Sequence, residues 1–154
     1  MKRFLCLLCV LCLLPVLAVA SGVADLEEFI YVYNYLAETY QTQTLPEKYN
    51  TWKMDNGDDM LIFSFSDSLK FHAYVKNKKV YGFSVICGSD DAALDFLMAC
   101  EVGNSCLDSD IHIDVLLDYM MSRTDGKPYV SKTKGYAYYL KKEGNEYTYI
   151  IAKE

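Results

Sequence analysis

The densest group of side chains able to handle a metal or a proton is Asp108-Ser109-Asp110-Ile111-His112-Ile113-Asp114, with Asp118 four residues further on. Alternating carboxylates suggest a calcium loop, which needs a glycine at its sixth position and a bidentate acid at its twelfth. Counted from Asp108, those positions hold Ile113 and Tyr119, so the template fails and no metal site is assigned. The acids suit a helix start instead, with Asp108 or Asp110 as cap and Asp114 and Asp118 on the solvated side.

A second chemistry needs a thiol and a base. Cys87 with His72 or His112 supplies the residue types of a thiolate nucleophile and its general base, and a cysteine placed just before a helix start can have a lowered pKa. A secreted cysteine-dependent hydrolase is therefore the alternative reading of this chain. Against it, periodicity puts His72 on the opposite strand face from Cys87. There is also no G-x-S-x-G, phosphate-cradling glycine loop, H-E-x-x-H or C-x-x-C. No catalytic residue and no cofactor are assigned.

The start of the chain, MKRFLCLLCVLCLLPVLAVA, has cationic Lys2 and Arg3, an apolar run broken by Pro15, and small residues at Ala18 and Ala20. That order is the pattern of a secretory signal peptide over residues 1–20, with residues 21–154 as a single globular domain and a secreted or extracytoplasmic location. Pro15 cuts the apolar segment short of the roughly 20 residues that span a bilayer, so no membrane association is expected after cleavage.

Cleavage would remove two of fifteen cations and leave thirteen against twenty-one anions, a charge of −8. An acidic domain without a basic run longer than two residues is a poor match for the dense negative charge of nucleic acid, which is set aside. Cys6, Cys9 and Cys12 would leave with the signal, so Cys87, Cys100 and Cys106 remain. In a compartment that permits disulfides, three cysteines allow one bridge. A turn at Gly103-Asn104 makes Cys100–Cys106 the expected pair, with Cys87 free.

Any site needs elements to hold it. In DLEEFIYVYNYLAETY, residues 25–40, Leu26, Phe29, Ile30, Tyr33, Ala37 and Tyr40 recur at helical spacing. Asp25 with Glu28 resembles a capping box. Tyr33 and Tyr40 should face inward, with Tyr31 and Tyr35 flanking that face. From Tyr49 to Cys87 the period changes to two, broken by turn signals at Asp55-Asn56-Gly57, Ser66-Asp67-Ser68 and Asn77-Lys78. The inward residues of the fourth strand are read as Tyr81, Phe83, Val85 and Cys87. A second helix starts near Ser89 and a third runs from about Ser109 to Arg123. GYAYYLKKEGNEYTYIIA then reads as a terminal hairpin with Tyr136, Tyr138 and Leu140 on one face and Tyr147, Tyr149 and Ile151 on one face of its partner.

The fold expected is α+β in two layers, an antiparallel sheet of a four-strand meander plus a C-terminal hairpin, packed by about three helices. Its sheet has a wet face, where Lys70, His72, Tyr74 and Lys76 line one strand and Tyr49 and Lys53 lie at the edge. Tyrosine suits recognition because a large ring carries a polar tip. Those six residues form the candidate ligand surface of a non-catalytic binding or accessory module. The expected partners are an extracellular protein or glycan, or a second copy through the open sheet face.

Overall fold

The computed structural model describes residues 24–107, 114–115, 117–118, 129–133 and 135–153. The expected signal segment, His112, and most of the third helix expected over residues 109–123 lie outside them. The described strands are β1 (Ala24–Asp25), β2 (Asn50–Lys53), β3 (Asp59–Ser64), β4 (Leu69–Lys76), β5 (Lys79–Cys87), β6 (Tyr129–Thr133), β7 (Tyr136–Glu143) and β8 (Glu146–Lys153). Two α-helices join them, α1 (Leu26–Thr39) and α2 (Ala93–Cys106), the latter entered through a 3-10 turn at Asp90–Ala92. Among the described residues, no helix is long and apolar enough to cross a membrane.

The protein is an α+β fold. Its antiparallel sheet runs β2-β3-β4-β5-β8-β7-β6, with the two-residue β1 pairing beside the start of β5. β2 to β5 are neighbours in chain order. The chain then leaves the sheet through α2, returns at the far edge as β6, and turns back until β8 pairs with β5. The short loops carry the turn chemistry that tight hairpins need. Asn77 and Lys78 both have positive φ between Lys76 and Lys79, the backbone of a type I′ turn, and Gly144 has positive φ between Glu143 and Glu146.

α1 forms because Asp25 caps it, its carboxylate accepting from the Glu27 amide at 3.0 Å, and because Phe29, Tyr33 and Ala37 fall on one buried stripe. That stripe rests on the sheet: the Tyr33 ring meets Phe71 edge-on at 5.1 Å and Phe29 lies 6.2 Å from it. Tyr33 is fully buried, Tyr40 half-buried, and Tyr31 and Tyr35 are exposed. The tyrosines of the opening helix are thus divided, one in the core and two on the surface.

α2 is buried around most of its girth. It begins where Ser89 caps the 3-10 turn, its hydroxyl accepting from the Asp91 amide. It ends later than the sequence suggests. Gly103 and Asn104 were expected to turn the chain, yet both are helical and buried, and the helix continues to Cys106. Gly103 sits against the Phe83 ring with no room for a side chain, and Asn104 accepts from the Tyr149 hydroxyl at 2.7 Å.

The longer helix removes the reason for the expected disulfide. Cys87, Cys100 and Cys106 are all free, buried thiols. Cys100 and Cys106 lie six residues apart on one helix, about 9 Å along its axis, whereas a bridge needs Cα atoms within about 7 Å.

β5 also departs from simple alternation. The register shifts between Tyr74 and Val75, so that Tyr74 faces Gly82 while Val75 faces Val80. Tyr81 is the extra residue of a bulge. Val80 takes the core place expected for Tyr81, and Tyr81 is half-buried beside Tyr74, with ring centroids 6.2 Å apart. Phe83, Val85 and Cys87 do face the core, as do Tyr136, Tyr138, Leu140, Tyr147, Tyr149 and Ile151 of the terminal hairpin.

Candidate functional site

Both helices pack on the same face of the sheet, against Phe71, Phe83, Tyr147 and Tyr149. Neither lies on the other face, which the strand registers lay out in cross-strand rows. One row runs Trp52, Met60, Tyr74, Gly82, Ala152 and Ala137; the next runs Asn50, Ile62, His72, Ser84, Ile150 and Tyr139. A third runs Ser64, Lys70, Ile86, Thr148 and Lys141.

The middle of this open face is apolar, with Met60, Ile62, Ile86, Ile150 and Tyr139 half-buried. Its ends are cationic, with Lys70, Lys76 and Lys79 exposed. Small residues are needed where strands crowd: a Cβ on Gly82 would lie 2.5 Å from the Ile151 carbonyl oxygen. Ser84 is buried close to Tyr74, and its side chain partly offsets the effect of burial on the Tyr74 phenol.

Four of the six expected surface residues come together here. Lys70, His72, Tyr74 and Lys76 share the open face of β4. Burial holds the His72 pKa below its ordinary value, and the Lys70 cation nearby adds to that, so the imidazole is neutral at pH 7. Burial raises the Tyr74 phenol.

Tyr49 and Lys53 do not join them. Thr51 lies opposite the buried Leu61 and Lys53 opposite Asp59, which puts Lys53 on the helix side of the sheet, paired with the Asp59 carboxylate at 2.7 Å. Tyr49 packs its ring on the core residue Phe63 at 5.0 Å. The residue missed by sequence reasoning is Trp52, on the open face and 64% exposed. A four-residue strand with every position exposed has no polar alternation to fix its register, and only pairing with β3 reveals it. Tyr81 was missed for a different reason, the bulge.

Of the groups in the thiol hypothesis, Cys87 and His72 are held apart, and His112 lies outside the described residues. The Cys87 side chain lies on the helix side, fully buried, with its thiol donating to the Ser89 carbonyl at 3.1 Å. Burial raises its pKa, with Asp90 and Asp95 adding to the effect. His72 projects from the opposite face of the neighbouring strand. Burial therefore favours the protonated thiol, which is a poor nucleophile. Burial likewise raises Cys100 and Cys106.

At the helix side of the hairpin end, the Tyr147 hydroxyl donates to Asp90, and Lys142 lies 4.8 Å over the Tyr147 ring. This cluster ties β7 and β8 to the 3-10 turn that leads into α2. Among the described residues, no three His, Cys, Asp or Glu side chains are grouped to hold a metal ion.

No family model matches this chain, and no curated protein and no solved structure matches it either.

Proposed function

We propose that this protein is a secreted, non-catalytic binding module whose working surface is the open face of the sheet. The observation that carries this reading is the strip from Trp52 through Tyr74 and His72 to Ile150, on the sheet face away from α1 and α2. A sheet face that only meets water alternates apolar inward and polar outward. Here the outward positions include Trp52, Met60, Ile62, Ile86, Ile150 and Tyr139, the kind of contiguous apolar patch that marks interaction surfaces. Tryptophan and tyrosine dominate binding energy at such surfaces, and a rim of charge sets orientation.

The protein partner favoured over a glycan follows from the polar groups available. Sugar hydroxyls need many hydrogen-bonding side chains, whereas the aliphatic Met60, Ile62, Ile86 and Ile150 separate the polar His72, Thr148 and Tyr139 of this face. Aliphatic groups fit an apolar stripe on a protein.

The test is capture from the native extracellular fluid by immobilised wild-type and variant protein. Trp52→Ala and Lys70→Glu alter exposed side chains, so each should shift stability by no more than about 0.5 kcal/mol. Either should reduce capture of the specific partner at least tenfold. Capture undiminished by both places the site elsewhere. Turnover of a substrate that is lost on Cys87→Ala would make the protein an enzyme.

A further inference from the structure

Two exposed surfaces on opposite sides of this domain complement one another. The first is the outer face of α1. Tyr31 and Tyr35, four residues apart, are 71% and 50% exposed. Glu27, Glu28 and Glu38 flank them, all exposed, and no basic residue lies in the helix. This is an acidic stripe with two aromatic rings at its centre. The second is the open face over β2–β5, with Lys70, Lys76 and Lys79 around Trp52, Met60, Ile62, Tyr74 and Tyr81. No strand position of that half of the face carries an acid. Asp25, opposite Lys79 on β1, is engaged by the Glu27 amide, and Asp58 sits at the border beside the Tyr81 hydroxyl.

We propose that the outer face of α1 on one copy docks on the open sheet face of the next, so that copies of this chain associate head to tail. The proposal rests on reading the open face as a binding surface and names a second copy as its occupant. Charge decides the pairing. Stacking β2–β5 of one open face on β2–β5 of another would bring two sets of Lys70, Lys76 and Lys79 together, away from Glu143 and Glu146 at the β7–β8 end of that face, and α1 against α1 would oppose three glutamates to three. Both like-to-like arrangements bring equal charges together, a recognised way of excluding wrong partners.

The head-to-tail contact brings opposite charges together and covers Tyr31, Tyr35 and Trp52 at once. Spans also agree. Glu28 and Glu38 are ten residues apart, about 15 Å along a helix, and Lys70 and Lys76 are six residues apart, about 20 Å along a strand; flexible lysine side chains cover the difference. α1 and the open face lie on opposite sides of one sheet, so the contact is heterologous and continues from copy to copy unless a ring closes.

Sedimentation velocity of the purified protein over a wide concentration range tests this. Mass should rise with concentration past the dimer, and added salt should weaken the association, because exposed charges are screened. Tyr31→Ala with Tyr35→Ala should weaken association at least tenfold with the melting temperature unchanged, and Lys70→Glu with Lys76→Glu should do the same. Mixing those two double variants restores one contact only. The first keeps its open face and the second keeps its α1, so the mixture should form a one-to-one dimer and stop there.

A wild-type protein that stays monomeric throughout overturns the proposal, as does self-association that survives the α1 substitutions. The underlying reading is tested separately. If the wild type is monomeric but partner capture is still lost on Trp52→Ala, the open face remains the binding surface and only its occupant is wrong.

Discussion

Tyr33→Ala is expected to cost about 3–5 kcal/mol, the range for deleting a buried aromatic ring, while Tyr33→Phe leaves stability unchanged or raises it. The ring is fully buried between α1 and the sheet, in contact with Phe29 at 6.3 Å and Phe71 at 5.1 Å, so its loss opens a cavity that the packed sheet cannot close. The hydroxyl behaves differently. It is buried without a hydrogen-bond partner among the described residues, and burial, with Cys106 and Cys100 nearby, raises its pKa well above the ordinary phenol value. Removing an unsatisfied buried polar atom recovers the desolvation penalty of about 1–3 kcal/mol that such a group imposes. Urea unfolding of the two variants checks the pair. A strongly destabilised Tyr33→Phe would show that the hydroxyl has a partner, and a mild Tyr33→Ala would show that α1 is not docked as described.

Gly103→Val is expected to be comparably damaging, at about 3 kcal/mol or more from overpacking. Helix propensity alone argues the other way, since glycine costs about 1 kcal/mol relative to alanine in a helix interior. Packing wins because a Cβ at this position would lie 2.5 to 2.8 Å from three atoms of the Phe83 ring. That ring has nowhere to go: it is fully buried, stacked on Phe71 at 4.9 Å and 14°, and 5.7 Å from Tyr149. α2 would have to lift from the sheet and take Asn104 from the Tyr149 hydroxyl. Gly88→Ala is the control, because the nearest atom to its added Cβ is the Ser68 carbonyl oxygen at 4.0 Å. Equal and small effects at both positions would mean that α2 does not lie against Phe83.

The parts of the fold legible in the sequence are those where local pattern and tertiary packing agree. β4 alternates strictly, and its buried Leu69, Phe71, Ala73 and Val75 fall where alternation puts them. α1 repeats its apolar residues at helical spacing, and Phe29, Tyr33 and Ala37 are the buried ones. The misreadings arise where a long-range contact overrides a local signal. Gly103-Asn104 has turn composition, but the sheet beneath it requires a residue without a side chain and then a side-chain amide to accept from Tyr149. Val80-Tyr81 sits in an alternating run, yet one inserted residue moves Tyr81 out of the core and Val80 in.

The candidate surface divides in the same way. Lys70, His72, Tyr74 and Lys76 were visible because they share a strand with buried partners. Trp52 was not, because all four positions of β2 are exposed and hydrophobicity cannot assign them to faces. A one-residue change of register transfers every side chain to the opposite face. That is why Tyr49 and Lys53 belong to the helix side and their neighbour Trp52 to the open one.

Trp52 is the single tryptophan of the chain, and it stands on the surface in question. Its fluorescence in dilute protein, before any partner or second copy is present, therefore reports directly on whether the open face is free. Red-shifted emission like that of an indole in water, quenched efficiently by acrylamide and iodide, is the expected result. Blue-shifted emission that resists both quenchers would mean that the chain covers this face itself and would contradict its role as the binding surface.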